Sequence, residues 1–88
     1  MDVLKDKNIL LGVTGGIAAF KAASLTSQLV KSGANVKVVM THNATQFISP
    51  LTFQTLSRNP VYLDMFSPVS WQPEHISLAD WTELFVIA

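Results

Sequence analysis

The stretch Asn8-Ile9-Leu10-Leu11-Gly12-Val13-Thr14-Gly15-Gly16-Ile17-Ala18 decides the fold. From Ile9 to Val13 it is an unbroken apolar run, not an alternating one. A strand of that kind is covered on both faces, as in a parallel sheet. The glycine pair ends it, and a helical pattern runs from Ile17 to Ser32. Within it Ala18, Ala22, Leu25 and Leu29 share one stripe, while Lys21, Ser24, Gln28 and Lys31 share another. Gly33 stands where a helix C-terminus expects a glycine. Val36-Lys37-Val38-Val39-Met40-Thr41 is rich in β-branched residues and predicts a second strand. Residues 8–41 therefore form one strand-helix-strand unit with parallel strands and a right-handed crossover. Both strands end at the same sheet edge, which brings Gly15 and Gly16 close to Thr41.

Further along, Asn43 or Thr45 is placed to cap a short helix through Phe47. Pro50 either breaks that helix or opens the next, in which Leu51, Phe53, Thr55 and Leu56 fit helical spacing. Val61-Tyr62-Leu63 is a brief third strand at most. Residues 64–74, with Ser67, Pro68, Ser70 and Pro73, read as a loop. Residues 75–81 suit one or two helical turns. Leu84-Phe85-Val86-Ile87-Ala88 is again an uninterrupted apolar strand, read as buried. The fold expected is α/β: a Rossmann-like, flavodoxin-type parallel sheet with helices on both faces. A buried parallel strand needs neighbours on both sides and helices on both faces. Residues 1–88 are therefore expected to be the N-terminal part of a larger domain.

The chain has 88 residues, enough for one core. Hydrophobic residues make up 49%, against 6 basic and 6 acidic residues, which excludes a disordered chain. No basic excess points to nucleic acid. The absence of cysteine excludes a disulfide scaffold and a cysteine nucleophile within these residues. No apolar run reaches the roughly 20 residues of a membrane span, and the N-terminus does not read as a signal peptide, so a cytoplasmic location is expected. The neutral sum conceals an asymmetry. Residues 1–58 carry all six bases and two acids, a net of +4, and residues 59–88 carry four acids and no base, a net of −4. Chance in a short chain explains this as readily as an anion site in the first half.

Two candidates for chemistry stand out. Paired glycines between a strand and a helix let backbone amides turn toward a ligand at the positive end of the helix, a setting for phosphate. The alternative is a tight turn and nothing more. Neither the G-x-G-x-x-G fingerprint nor the P-loop pattern is present, and the second strand ends in Thr41 rather than an acid for a ribose hydroxyl. A mononucleotide-type phosphate fits better, with Thr41 as a hydroxyl donor. The second candidate is His75, able to give or take a proton near neutral pH. A structural or solvated histidine is its alternative, and the same holds more strongly for His42. Two histidines without paired carboxylates make no metal site. Ser24, Thr26 and Ser27 read as helix surface, Trp71 and Trp81 as packing residues, and Asp80 and Glu83 as a solvated helix end.

Taken together, Gly12-Val13-Thr14-Gly15-Gly16-Ile17-Ala18-Ala19-Phe20-Lys21, Val39-Met40-Thr41-His42-Asn43-Ala44, Phe47-Ile48-Ser49-Pro50-Leu51-Thr52-Phe53-Gln54, His75-Ile76-Ser77-Leu78-Ala79-Asp80-Trp81 and Phe85-Val86-Ile87-Ala88 resemble the flavoprotein family of cysteine decarboxylases. The resemblance covers residues 6–88. It implies an FMN cofactor and a homo-oligomer, trimeric or built of trimers, with the flavin near a subunit interface. By position, Gly15, Gly16, Ile17 and Ala18 would line the flavin site through their backbone. Thr41, His42 and Asn43 would meet the phosphate or ribityl end, and Phe47 would pack near the flavin. His75 would be the catalytic histidine. The implied reaction is decarboxylation of 4'-phosphopantothenoylcysteine to 4'-phosphopantetheine in coenzyme A biosynthesis. Oxidation of the cysteine moiety makes loss of CO2 easy, and the electrons are then returned. A peptidyl-cysteine decarboxylase of lantibiotic maturation and a non-catalytic flavin-binding regulatory subunit are the alternatives. A further flavin loop, a substrate-binding asparagine and a flap cysteine of the family lie outside these motifs, so residues 1–88 alone are expected not to complete turnover.

Overall fold

Ile9, Leu11 and Val13 point to one side of the first strand and are completely buried, while Leu10 points to the other side and is buried as well. The unbroken apolar run is thus explained by cover on both faces. The computed structural model describes residues 2–63 and 78–88. In it the strand, β1, spans Asn8–Val13 and leads through the glycine turn into helix α1, Ala18–Lys31. Strand β2 follows at Asn35–Met40, then a 3-10 turn at Ala44–Gln46, helix α2 at Pro50–Ser57 and strand β3 at Val61–Leu63. A helical turn over 78–81 precedes strand β4 at Leu84–Ile87.

The four strands form one parallel sheet in the order β3-β2-β1-β4. This bears out the expected parallel α/β architecture. The chain runs outward from β1 through β2 to β3, then crosses back to place β4 on the other flank of β1. The order therefore reverses beside β1, and the crevice at the carboxyl ends of β1 and β4 is the topological switch point where open α/β sheets bind ligands.

Both helices lie on the face formed by Ile9, Leu11, Val13, Val36, Val38 and Met40, where Ala19, Ala22 and Phe53 join the core. On the opposite face Leu10 and Val39 are covered by Leu78, with Tyr62 and Trp81 packed beside them. Trp81 is a packing residue, as expected, and carries the Lys37 ammonium 4.4 Å above its ring centroid.

Expectations for α1 and for Glu83 need correction. The buried stripe of α1 is Ala19, Ala22 and Thr26, and Ala18 is exposed. Alanines at 18, 19, 22 and 23 make two registers of the apolar stripe equally plausible, and the small Ala19 and Ala22 let the helix approach the sheet. Thr26 is fully buried instead of facing solvent, because its hydroxyl donates to the Ala22 carbonyl at 2.8 Å and leaves only its methyl to the core. Glu83 is also no idle helix end. One carboxylate oxygen accepts from the Asn8 amide at 3.0 Å and the other lies 3.7 Å from the Lys7 ammonium. With both side chains about half exposed, that ion pair adds little. The hydrogen bonds matter more. Asn8 also takes the Glu83 amide on its carbonyl and donates its side-chain amide to the Trp81 carbonyl, while its side-chain oxygen accepts from Asn35. One side chain thereby ties β2, β1 and the approach to β4 together.

Helix α2 begins as its sequence dictates. Pro50 occupies the first turn, where its missing amide costs nothing, and the Ser49 hydroxyl accepts from the Leu51 amide at 3.2 Å. It ends at Arg58 in the left-handed region, φ 63°. Beyond it, the Asn59 side chain donates to the Val36 carbonyl at 2.7 Å and secures the helix end to β2. β4 is less enclosed than its composition suggests. It pairs with β1 alone among the described strands, and Leu84, Phe85 and Ile87 remain exposed. The Phe85 ring lies across Gly12, where an added Cβ would stand 3.2 Å from it.

Candidate functional site

The start of α1 has no side-chain cap. Ile17 occupies the cap position, and it offers no hydrogen-bonding group to the helix amides. The Ala19 and Phe20 amides close short bonds to the Gly16 and Ile17 carbonyls at 3.1 Å each. Among the described residues, the amides of Gly15, Gly16, Ile17 and Ala18 meet no acceptor. Four successive open donors at the positive end of a fourteen-residue helix make a place for an anion. The contrast with α2, whose first turn is capped by Ser49, is direct.

The two glycines do different work. Gly15 sits at φ 117°, outside even the left-handed region that L residues occasionally adopt. A Cβ there would meet the Asn43 side-chain nitrogen at 2.8 Å. Gly16 sits at φ 73°, and a Cβ there would have nothing within 4 Å among the described residues. Gly15 therefore lets the turn pack against residues 43–44, and Gly16 leaves open space beside the amides.

The neighbouring strand end closes the other side. Thr41 follows β2, its amide donates to the Val13 carbonyl at 3.0 Å, and its hydroxyl donates to the Thr14 carbonyl at 3.0 Å. The same hydroxyl accepts from the Ala44 amide at 3.1 Å, so Thr41 rather than Asn43 or Thr45 caps the short turn. Thr14 in turn donates its amide and its hydroxyl to the Ala88 carbonyl, at 3.2 and 3.0 Å. His42 and Asn43 are exposed beside the glycine turn. Exposed apolar side chains complete the surroundings: Ile17 and Phe20 on the first turn of α1, and Phe47 just after the 3-10 turn. Open amides with exposed apolar and aromatic side chains nearby suit a ligand that is anionic at one end and flat and apolar at the other.

The structure therefore brings Gly15, Gly16, Ile17, Ala18, Thr41 and Asn43 together at the carboxyl edge of β1 and β2, with His42 and Phe47 on the adjoining turn. His75 and Trp71 lie outside the described residues. Phe20 and Thr14 carry no role assigned from the sequence. Phe20 is detectable as an aromatic residue off the buried stripe, whereas the bonds of Thr14 reach residue 88 and leave no local signal.

An uncapped helix start at the switch point of an open parallel sheet is the arrangement by which α/β proteins of the nucleotide or flavin type take up phosphate. The chain belongs to the Flavoprotein family, whose profile matches residues 2–88. A flavin is the cofactor that this membership supports. The chain is 53% identical, over 87 residues, to the coenzyme A biosynthesis bifunctional protein CoaBC of Bacillus subtilis, covering 98% of this chain and 21% of that protein. It is 52% identical, over 83 residues, to a probable phosphopantothenoylcysteine decarboxylase of Streptococcus mutans, covering 93% of this chain and 46% of that protein. Among solved structures it resembles MrsD of a Bacillus species, with a TM-score of 0.75 at 26% identity over 99% of this chain and 50% of that one. It shares its fold with SpaF, described as an FMN-dependent cysteine decarboxylase, with a TM-score of 0.77 at 21% identity over 96% of this chain and 49% of that one. The chain thus spans about a fifth of the Bacillus subtilis relative and under half of the Streptococcus one.

Proposed function

We propose that these residues supply the phosphate-binding half of an FMN site in a decarboxylase of 4'-phosphopantothenoylcysteine, acting in coenzyme A biosynthesis. The observation that carries the reading is the run of four open amides from Gly15 to Ala18 at the switch point. It gains its chemical direction from family membership and from about half identity to coenzyme A biosynthesis relatives. The relatives that share about half their residues with this chain are named for coenzyme A biosynthesis and phosphopantothenoylcysteine decarboxylation, which favours a phosphopantothenoyl over a peptidyl substrate. The activity is proposed for a protein of the relatives' length that includes this chain, in the cytoplasm and as a homo-oligomer.

In this reading the amides of Gly15, Gly16, Ile17 and Ala18 hold the phosphate. Ile17, Phe20 and Phe47 offer apolar surface to the flat ring, and His42 and Asn43 border the polar linker. When bound, the flavin supplies a two-electron sink that lets the cysteine moiety lose CO2. His75 handles a proton or holds the substrate carboxylate.

The deciding experiment is His75→Asn in the protein of full length, with flavin content and CO2 release from 4'-phosphopantothenoylcysteine both measured. The variant is expected to retain FMN and lose CO2 release by roughly 100-fold or more, the scale of a lost acid-base group. Unchanged CO2 release per bound flavin would remove His75 from the reaction. Absence of FMN from the unaltered protein would remove the cofactor itself.

A further inference from the structure

We propose that Lys37 is a positioning residue for the segment that carries His75, acting by holding the Trp81 ring against the outer face of the sheet. The proposal rests on the reading of His75 as the group that handles the proton or the substrate carboxylate, and deepens it. Lys37 is the one charged residue within the four described strands. It stands in the middle of β2, paired in register with Leu10, on the face opposite the two helices. Among the described residues no carboxylate lies within ion-pair distance of it. Its ammonium lies instead 4.4 Å from the centroid of the Trp81 ring, whose negative face attracts a cation. The lysine stem covers apolar surface while its head rests on the ring.

The helical turn over 78–81 is fixed at further points. Leu78, 2% exposed, joins Leu10 and Val39 in the buried cluster of that face. The Asn8 side chain donates to the Trp81 carbonyl at 3.1 Å, and Thr82 returns its amide and its hydroxyl to the Leu78 carbonyl at 3.1 and 2.7 Å. His75 precedes Leu78 by three residues, and three residues of chain span at most about 11 Å. Val39 stands two residues short of Thr41, about 7 Å along the strand. A turn anchored at Leu78 therefore tethers His75 within reach of the carboxyl edge where the glycine turn lies, and a turn released from the face does not. Lys37 and Trp81 are both half-buried, so their contact can be altered without opening the core.

The test uses the full-length protein, with flavin content, thermal unfolding and CO2 release from 4'-phosphopantothenoylcysteine measured for each variant. Lys37→Met keeps the stem and removes the charge, Lys37→Arg keeps a cation for the ring, and Trp81→Leu removes the ring. Lys37→Met is expected to retain FMN and to lower CO2 release per bound flavin about fivefold, the scale of one half-buried cation–π contact. Lys37→Arg is expected to restore it. Adding Lys37→Met to Trp81→Leu is expected to lower the rate no further, because the charge then has no ring to hold. The two Lys37 variants decide the matter alone should Trp81→Leu not fold. An unchanged rate in Lys37→Met would overturn the positioning role, with or without a change in thermal stability. A loss that arginine does not restore, or one that adds in full to that of Trp81→Leu, would overturn it as well. Unchanged release in His75→Asn would end the reading of His75 and the positioning role with it, whereas unchanged release in Lys37→Met alone ends only the latter.

Discussion

Gly15→Ala is expected to abolish stable flavin binding, with affinity falling about 100-fold or more, whereas Gly16→Ala leaves the turn standing. The difference follows from backbone angle and space. At φ 117° an L residue is strained by about 1–3 kcal/mol before any contact is counted. The Cβ would also press to 2.8 Å from the Asn43 side-chain nitrogen and 3.4 Å from the Ala44 amide nitrogen. The loop can relieve this only by moving away from the 43–44 wall, which displaces the open amides from Gly15 to Ala18. Gly16, at φ 73°, lies close to the left-handed region, with no described atom in the way. Alanine there costs on the order of 1 kcal/mol of strain. Its methyl projects into the open space beside the amides, so its effect falls on the ligand. Flavin fluorescence titration together with thermal unfolding separates the two. Equal and small effects of both substitutions on FMN affinity would contradict this account of the turn.

Phe53→Ala is expected to destabilise the fold by about 3–5 kcal/mol, the usual cost of emptying a buried phenylalanine site. Among the described residues Phe53 is the largest fully buried side chain, and it belongs to the core formed by the α1 face and the inner sheet face. Helix α2 has only eight residues, too few to be stable alone, so its docking depends on this contact. Total stabilities of about 5–15 kcal/mol make such a loss a large share of the whole. Leu51, on the outer face of the same helix and 65% exposed, is the control, and Leu51→Ala should change stability by no more than about 0.5 kcal/mol. Chemical denaturation of both variants checks the pair. A cost below about 1 kcal/mol at Phe53 would show that α2 is held by something else.

The sheet, its parallel sense and the glycine turn were legible in the sequence because each leaves a local trace. Ile9 to Val13 show no alternation, since both faces are covered, and the pair Gly15-Gly16 sits where strand gives way to helix. The misreadings arise where the deciding partner is remote or internal. Thr26 looks like surface because its hydroxyl bond to Ala22 is invisible in composition. Glu83 looks solvated because the amide that it accepts from lies 75 residues earlier, at Asn8. Thr41 was legible as a candidate site residue by its place at a strand end, but its bond to the Thr14 carbonyl was not, because that partner lies 27 residues earlier. Leu84 to Ile87 read as buried by composition, and the exposure of Leu84, Phe85 and Ile87 follows from their pairing on one flank alone among the described strands.

The central place of β1 also governs the order in which the chain assembles. Its pairing with β2 bridges 27 residues between Asn8 and Asn35, but its pairing with β4 spans 75 residues between Asn8 and Glu83. Closing the longer loop costs about 0.9 kcal/mol more by simple chain statistics. The strand-helix-strand unit over residues 8–40 can therefore form first, and β4 docks onto an edge already built, after a slower and more distant search. Of the four described strands, β4 is consequently the one whose docking completes the switch-point crevice after β1 and β2 have paired. Until then Leu10 and Gly12 present an open strand edge, and that interval is when the nascent chain is most exposed to wrong pairing.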